Sequence, residues 1–164
     1  MSNTSQKRTM GSPEQAPRLF LQRLALFSSF SPGAKFQEVV FKRGLNLIVG
    51  EDSPSEQGED NLCGHSVGKT TLCRLIRYCL GEPNFSTSHD QEIIRENIAD
   101  GWVGCEVLIE GTPWAVLLPF SRNPSGRVAA RDERLESLFT LEKQDNEFRE
   151  YQTALDSLMP KNVN

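Results

Sequence analysis

The chain has 164 residues, of which 37% are apolar and 24% charged, and its mean hydropathy is −0.45. This composition fits one soluble globular domain and excludes a wholly disordered or collagen-like chain. Lys and Arg number 18 against 22 Asp and Glu, a formal net charge of −4 that argues against a strongly basic nucleic-acid module.

No apolar run reaches the roughly 18–20 residues of a membrane span. Met1 to Arg18 carries no apolar core of the kind a secretory signal needs, so a cytoplasmic setting with reduced thiols is expected. Residues 1–17 are rich in Ser, Thr, Gln, Gly and Pro and read as a mobile tail. The ordered lobe is expected over residues 18–160.

Arg18–Phe27 is apolar enough for either strand or helix. Pro32-Gly33 marks a turn. Phe36–Phe41 reads as a strand. Leu45–Val49 is a nearly continuous apolar run closed by Gly50, which predicts a strand buried on both faces and paired with Phe36–Phe41. Residues 51–63 form a polar, acidic loop, long for a compact domain.

From Lys69 to Leu80 the period changes. Leu72, Leu75, Ile76, Cys79 and Leu80 make one apolar helical face, with Arg74 and Arg77 off it as surface or salt-bridge residues. Gly81 and Pro83 stop this helix. Gln91–Ala99 predicts a short helix. Trp102–Glu110 and Trp114–Phe120 predict a hairpin. Residues Glu133 to Met159 read as mostly helical, with an apolar stripe at Phe148, Tyr151, Leu155 and Leu158 that docks on the sheet or opens a coiled coil.

Cys63, His65, Cys73 and Cys79 lie near one another, but no C-x2-C pair is present and Cys73 and Cys79 fall in the helix. The cysteines read as buried or half-buried thiols rather than zinc ligands. Val107–Glu110 has the look of a strand ending in a catalytic acid, but its alternation inside a hairpin favours an ordinary strand. Arg131–Glu133 reads as a solvated helix start.

The informative segment is Gly64-His65-Ser66-Val67-Gly68-Lys69-Thr70-Thr71. It follows the expected strand and opens an amphipathic helix, the setting of a phosphate-binding P-loop. Unpaired N–H groups at the helix start bind phosphate oxygens, and the helix dipole adds roughly 0.3–1 kcal/mol for an anion there. Gly68 admits close backbone approach. Lys69 neutralises the β- and γ-phosphates, Thr70 is placed to ligate Mg2+, and Thr71 to bond the α-phosphate. The pattern G-x-x-x-x-G-K-[ST] puts a Gly where Cys63 stands. The nearest candidates for that Gly are Gly64, one residue late, and Gly50, the favoured one, which serves if the loop carries an insertion of 13 residues, since Gly50 and Gly68 stand 18 positions apart instead of five.

The stretch from about Leu19 to Pro83 resembles the N-terminal end of ABC-type ATPases of the SMC and double-strand-break-repair class. FLQRLALFSSF looks like their first strand and turn, FQEVVFKRGLNLIVGE like the strands before the P-loop, and HSVGKTTLCRLIRYCLG like the P-loop and first helix. The split loop is similar to that of a bacterial group of SMC-like proteins. The resemblance implies an α/β P-loop half-domain, with a mixed sheet on the P-loop helix, the hairpin, and a C-terminal helix. It implies ATP and Mg2+ as ligands, held by His65, Ser66, Val67, Gly68, Lys69, Thr70 and Thr71. It also implies a second lobe or head as partner, in a longer protein, another chain or a homodimer, and DNA as a further partner. The acid of the Walker B strand, the Ser-Gly-Gly signature and the switch His of that family do not occur here, so hydrolysis is expected only once a second lobe completes the site. Two other readings stand beside this one: a small P-loop kinase, and an interaction module with a vestigial P-loop.

Overall fold

The computed structural model describes residues 17–48, 67–122, 126–142 and 145–158. Most of the expected tail 1–17 and all of the acidic insertion 51–63 lie outside them.

The described chain is an α/β arrangement of one five-stranded sheet and helices. The strands are β1 (Leu19–Phe27), β2 (Lys35–Val40), β3 (Trp102–Ile109), β4 (Thr112–Pro119) and β5 (Val128–Arg131). Their order is β2-β1-β3-β4-β5, and every pairing is antiparallel. The mixed sheet expected from the sequence is therefore not formed among the described residues. Antiparallel neighbours need only short connections, and β3 reaches β4 through Glu110 and Gly111. Both have positive φ, 49° and 85°, as a tight hairpin turn requires.

Three helices cover one face: α1 (Val67–Cys79), α2 (Ser88–Asn97) and α3 (Phe148–Leu158). Leu75, Cys79, Tyr151 and Leu155 pack there on Leu24, Val103, Cys105 and Val116. The stripe of α3 thus docks on the sheet. Its Tyr151 hydroxyl donates to Cys79 O at 2.8 Å, tying α3 to the end of α1. The opposite face carries a 3-10 helix, Leu135–Thr140, whose Leu135 and Leu138 cover Ala25, Phe27, Ala115 and Leu117.

With covers on both sides, β4 is the doubly buried strand: its last six residues, Trp114–Pro119, are all buried. The run Leu45–Val49, expected in that role, does not take it. Leu45–Ile48 form no strand; Leu45 is 93% exposed and Leu47 83%. Val49 lies outside the described residues. The reason is local and tertiary. Asn46 folds its side chain back, accepting from Lys42 N and donating to Lys42 O, both at 2.8 Å. A continuous apolar run also needs covering layers on two faces, and the segment after β2 has neither among the described residues. β2 pairs with β1 instead. Leu47→Ser is accordingly expected to shift urea-unfolding stability by no more than about 0.5 kcal/mol; a larger loss would place Leu47 in the core.

The C-terminal third also departs from expectation. Arg131 ends β5 rather than opening a helix, and Asp132 turns the chain with φ 57° while its N–H donates to Pro113 O at 3.0 Å. The helix expected across Glu133–Met159 is broken before α3. There the chain bonds to the free edge of β5: Glu147 N donates to Ala129 O at 2.8 Å, and Ala129 N to Asn146 Oδ1 at 3.1 Å. Buried backbone groups need partners, and serving β5 takes precedence over helix continuity.

Candidate functional site

The helix α1 begins at Val67 and carries Gly68, Lys69, Thr70 and Thr71 in its first turns. Its apolar face follows the spacing of Leu72, Leu75, Ile76 and Cys79, so the C-terminal half is held against β3 and β4. The Tyr78 hydroxyl donates to Pro119 O at 3.0 Å. The helix ends in a double-bonded cap. Gly81, at φ 102°, donates to Tyr78 O at 3.2 Å, and Glu82 N donates to Arg77 O at 3.0 Å. One end of α1 is thus fixed in the core while the other faces outward.

At that outward end, Gly68, Lys69 and Thr70 are exposed and Thr71 is half-buried, its interactions already engaged. Among the described residues, a Cβ at Gly68 would meet no atom within 4 Å beyond its own helix. The first turn has no acidic residue, unlike α2 with Asp90 and α3 with Glu150. Among the described residues Lys69 has no carboxylate partner. A cation at a helix N-terminus is unfavourable with respect to the dipole unless an anion is also present. Gly68, Lys69 and Thr70 thus stand exposed at one helix end, with no carboxylate partner for Lys69 among the described residues. Of the other positions, Gly50, Cys63, Gly64, His65 and Ser66 lie outside the described residues, and Val67 opens α1.

The arginines of α1 are ion-paired. Arg74 donates to Asp90 Oδ2 at 2.8 Å and to Ser86 Oγ at 3.0 Å, and Arg77 pairs with Glu82. Glu110, the acid after Val107–Ile109, sits in the hairpin turn and pairs with Arg18 at 2.6 Å, with both side chains exposed. It is an ordinary turn residue. Cys79 and Cys105 are buried free thiols and Cys73 is exposed. The hydrogen bond to Cys105, with burial, pushes the Cys79 thiol well above its usual value, which suits packing rather than reactivity. No cluster of three metal-ligating side chains occurs among the described residues, nor a helix long and apolar enough to cross a membrane.

No protein-family model matches this chain, and no curated protein is similar to it. What the described residues define is the class: an α/β chain with an antiparallel sheet, bearing a Gly-Lys-Thr helix start on its surface.

Proposed function

We propose that this chain binds Mg-ATP as the N-terminal lobe of an SMC-like P-loop ATPase. The observation that carries the reading is the exposed Gly68-Lys69-Thr70 turn on a helix whose far end is anchored in the core. The residues present fit a triphosphate. Gly68 leaves the backbone approachable, Lys69 is unpaired by any carboxylate among the described residues, and the first turn holds no acidic side chain. Lys69 would hold the β- and γ-phosphates, with the amides of residues 65–70 around them, and Thr71 would take the α-phosphate. Thr70 would offer its hydroxyl to Mg2+, which when bound supplies positive charge against the phosphates.

On this reading the antiparallel sheet is the β-subdomain that flanks the nucleotide in such ATPases. The central parallel sheet would need the second lobe. The exposed run Leu45, Leu47 and Ile48 supports that view, since three large apolar side chains in one short segment suit a strand awaiting a neighbour. Hydrolysis then belongs to the completed pair of lobes. Nothing about Arg74 or Arg77 favours DNA, because both are already ion-paired.

Calorimetric titration with Mg-ATP tests the proposal. Lys69→Ala removes a charge-assisted contact of about 1.5–3 kcal/mol, so affinity should fall roughly 10- to 100-fold. Equal affinity of wild type and Lys69→Ala would reject it. Stable association with another chain, without any nucleotide binding, would favour the interaction-module reading, for which the exposed apolar run also speaks.

A further inference from the structure

A second feature lies at the other end of α1. A surface cavity of about 470 Å³ opens between the end of α1, the start of α2 and the segment after β4. Among the described residues its lining includes three arginines, Arg95, Arg122 and Arg127, against a single carboxylate, Glu92. Polar side chains such as Ser88, Ser121 and Asn84 complete the wall. This is a concentration of positive charge in a chain of net charge −4.

Two of the arginines are held without a counter-ion among the described residues. Arg95 is half-buried; its Nε donates to Phe120 O at 2.7 Å and its Nη2 to Gln91 Oε1 at 2.8 Å. Its guanidinium carbon stands 5.2 Å from the Phe85 ring centroid. These contacts fix the guanidinium plane, and its other N–H donors have no hydrogen-bond partner among the described residues. Arg127 is also half-buried. Its guanidinium lies 5.8 Å from the Phe148 ring centroid, and its buried Nε makes no hydrogen bond. Arg122 is exposed on the rim and only loosely paired with Glu92 at 3.4 Å. Partly desolvated cations without a carboxylate are costly. Arginine forks set by stacking and backbone contacts match the geometry of a phosphoryl group.

We propose that this cavity is a binding site for a small phosphate dianion, free or as a monoester, held by Arg95 and Arg127 with Arg122 at the entrance. A nucleic-acid track is disfavoured, since the basic groups converge on one concave spot instead of forming a stripe. The site is separate from the Gly68–Thr70 turn: Tyr78 of α1 lines it, and the nine helical steps from Lys69 to Tyr78 span about 14 Å.

The test is calorimetric titration with inorganic phosphate and with phenyl phosphate, using chloride at matched ionic strength as control. Wild type should bind phosphate saturably and chloride not at all. Arg127→Met, which retains an apolar stem over Phe148, and Arg95→Gln should each weaken binding at least tenfold. Arg122→Gln, at an exposed position where folding is not at stake, should weaken it by a smaller factor. Lys69→Ala should leave it unchanged, and this separates the site from the proposed nucleotide site. Binding of phenyl phosphate but not inorganic phosphate would assign an ester, and the reverse the free ion; either supports the site. Equal phosphate affinity in wild type, Arg127→Met and Arg122→Gln, or loss in Lys69→Ala alone, would overturn it. So would tight binding of a single-stranded oligonucleotide that the arginine substitutions abolish while phosphate itself fails to bind.

Discussion

Arg23→Met is expected to destabilise the chain by about 3 kcal/mol at pH 7 and to reverse its response to mild acid. Arg23 lies on the sheet face beneath the 3-10 helix and bonds three carboxylates: Glu38 of β2, Glu106 of β3 at 3.2 Å, and Glu136 of the 3-10 helix. The side chains of Arg23 and Glu106 are only 14% and 12% exposed. Breaking a buried pair costs about 3–5 kcal/mol because the abandoned charge stays desolvated. Partial exposure of Glu38 and Glu136 places the expected loss at the low end.

The pH dependence follows from the same geometry. Hydrogen bonds from Lys35 and then Arg23 hold Glu38 below the usual carboxylate range, and Arg23 does the same for Glu136. Their contribution is complete above the unfolded value, about 4.3, and is lost as pH falls through the lowered folded values. Wild type should therefore lose stability below about pH 4.5. Without Arg23, three like charges converge and at least one folded pKa rises. The native state then takes up protons, so the variant should gain stability between pH 7 and about 5. Urea titrations at pH 7, 5 and 3 read both slopes. Parallel pH profiles for the two proteins would show that the three carboxylates do not depend on Arg23.

The second large effect concerns the contact of Gly104 with Leu135. A Cβ at Gly104 would stand 2.4 Å from Leu135 Cδ1 and 2.9 Å from Cδ2, and Leu135 is fully buried. Gly104→Ala should cost about 1–3 kcal/mol by overpacking. Leu135→Ala should cost about 2–5 kcal/mol through lost burial and a residual cavity. The double variant should be less destabilised than the two losses combined, because the new methyl enters the space that Leu135 leaves. A double-mutant cycle on urea-unfolding free energies decides the point, and additive losses would mean that the residues do not share one space. The prediction also bears on Arg23, since Leu135 N donates to Glu106 Oε1 at 3.0 Å and the two devices hold down the same 3-10 helix.

Local chemistry made several elements readable in advance. The 3.6-residue spacing of Leu72–Leu80, closed by Gly81, located α1 within two residues of its start and one of its end, because helix faces and caps are local properties. The hairpin around Gly111 was legible for the same reason. The Gly68-Lys69-Thr70 turn was readable as a helix start, and the structure adds that all three residues are exposed.

What the sequence could not show concerns partners distant along the chain. An apolar run looks the same whether or not layers exist to cover it, so Leu45–Ile48 and β4 were indistinguishable until the sheet and both its covers were assembled. β5 is four residues long and has no pattern of its own; it exists because β4 offers an edge. Arg95, Arg122 and Arg127 belong to separate segments and carry no motif, and only the packing of α2 and α3 on the sheet draws them toward one cavity. Periodicity and caps act over a few residues and are written in the chain; burial, pairing and convergence of charge depend on contacts between remote segments, and these the tertiary structure alone decides.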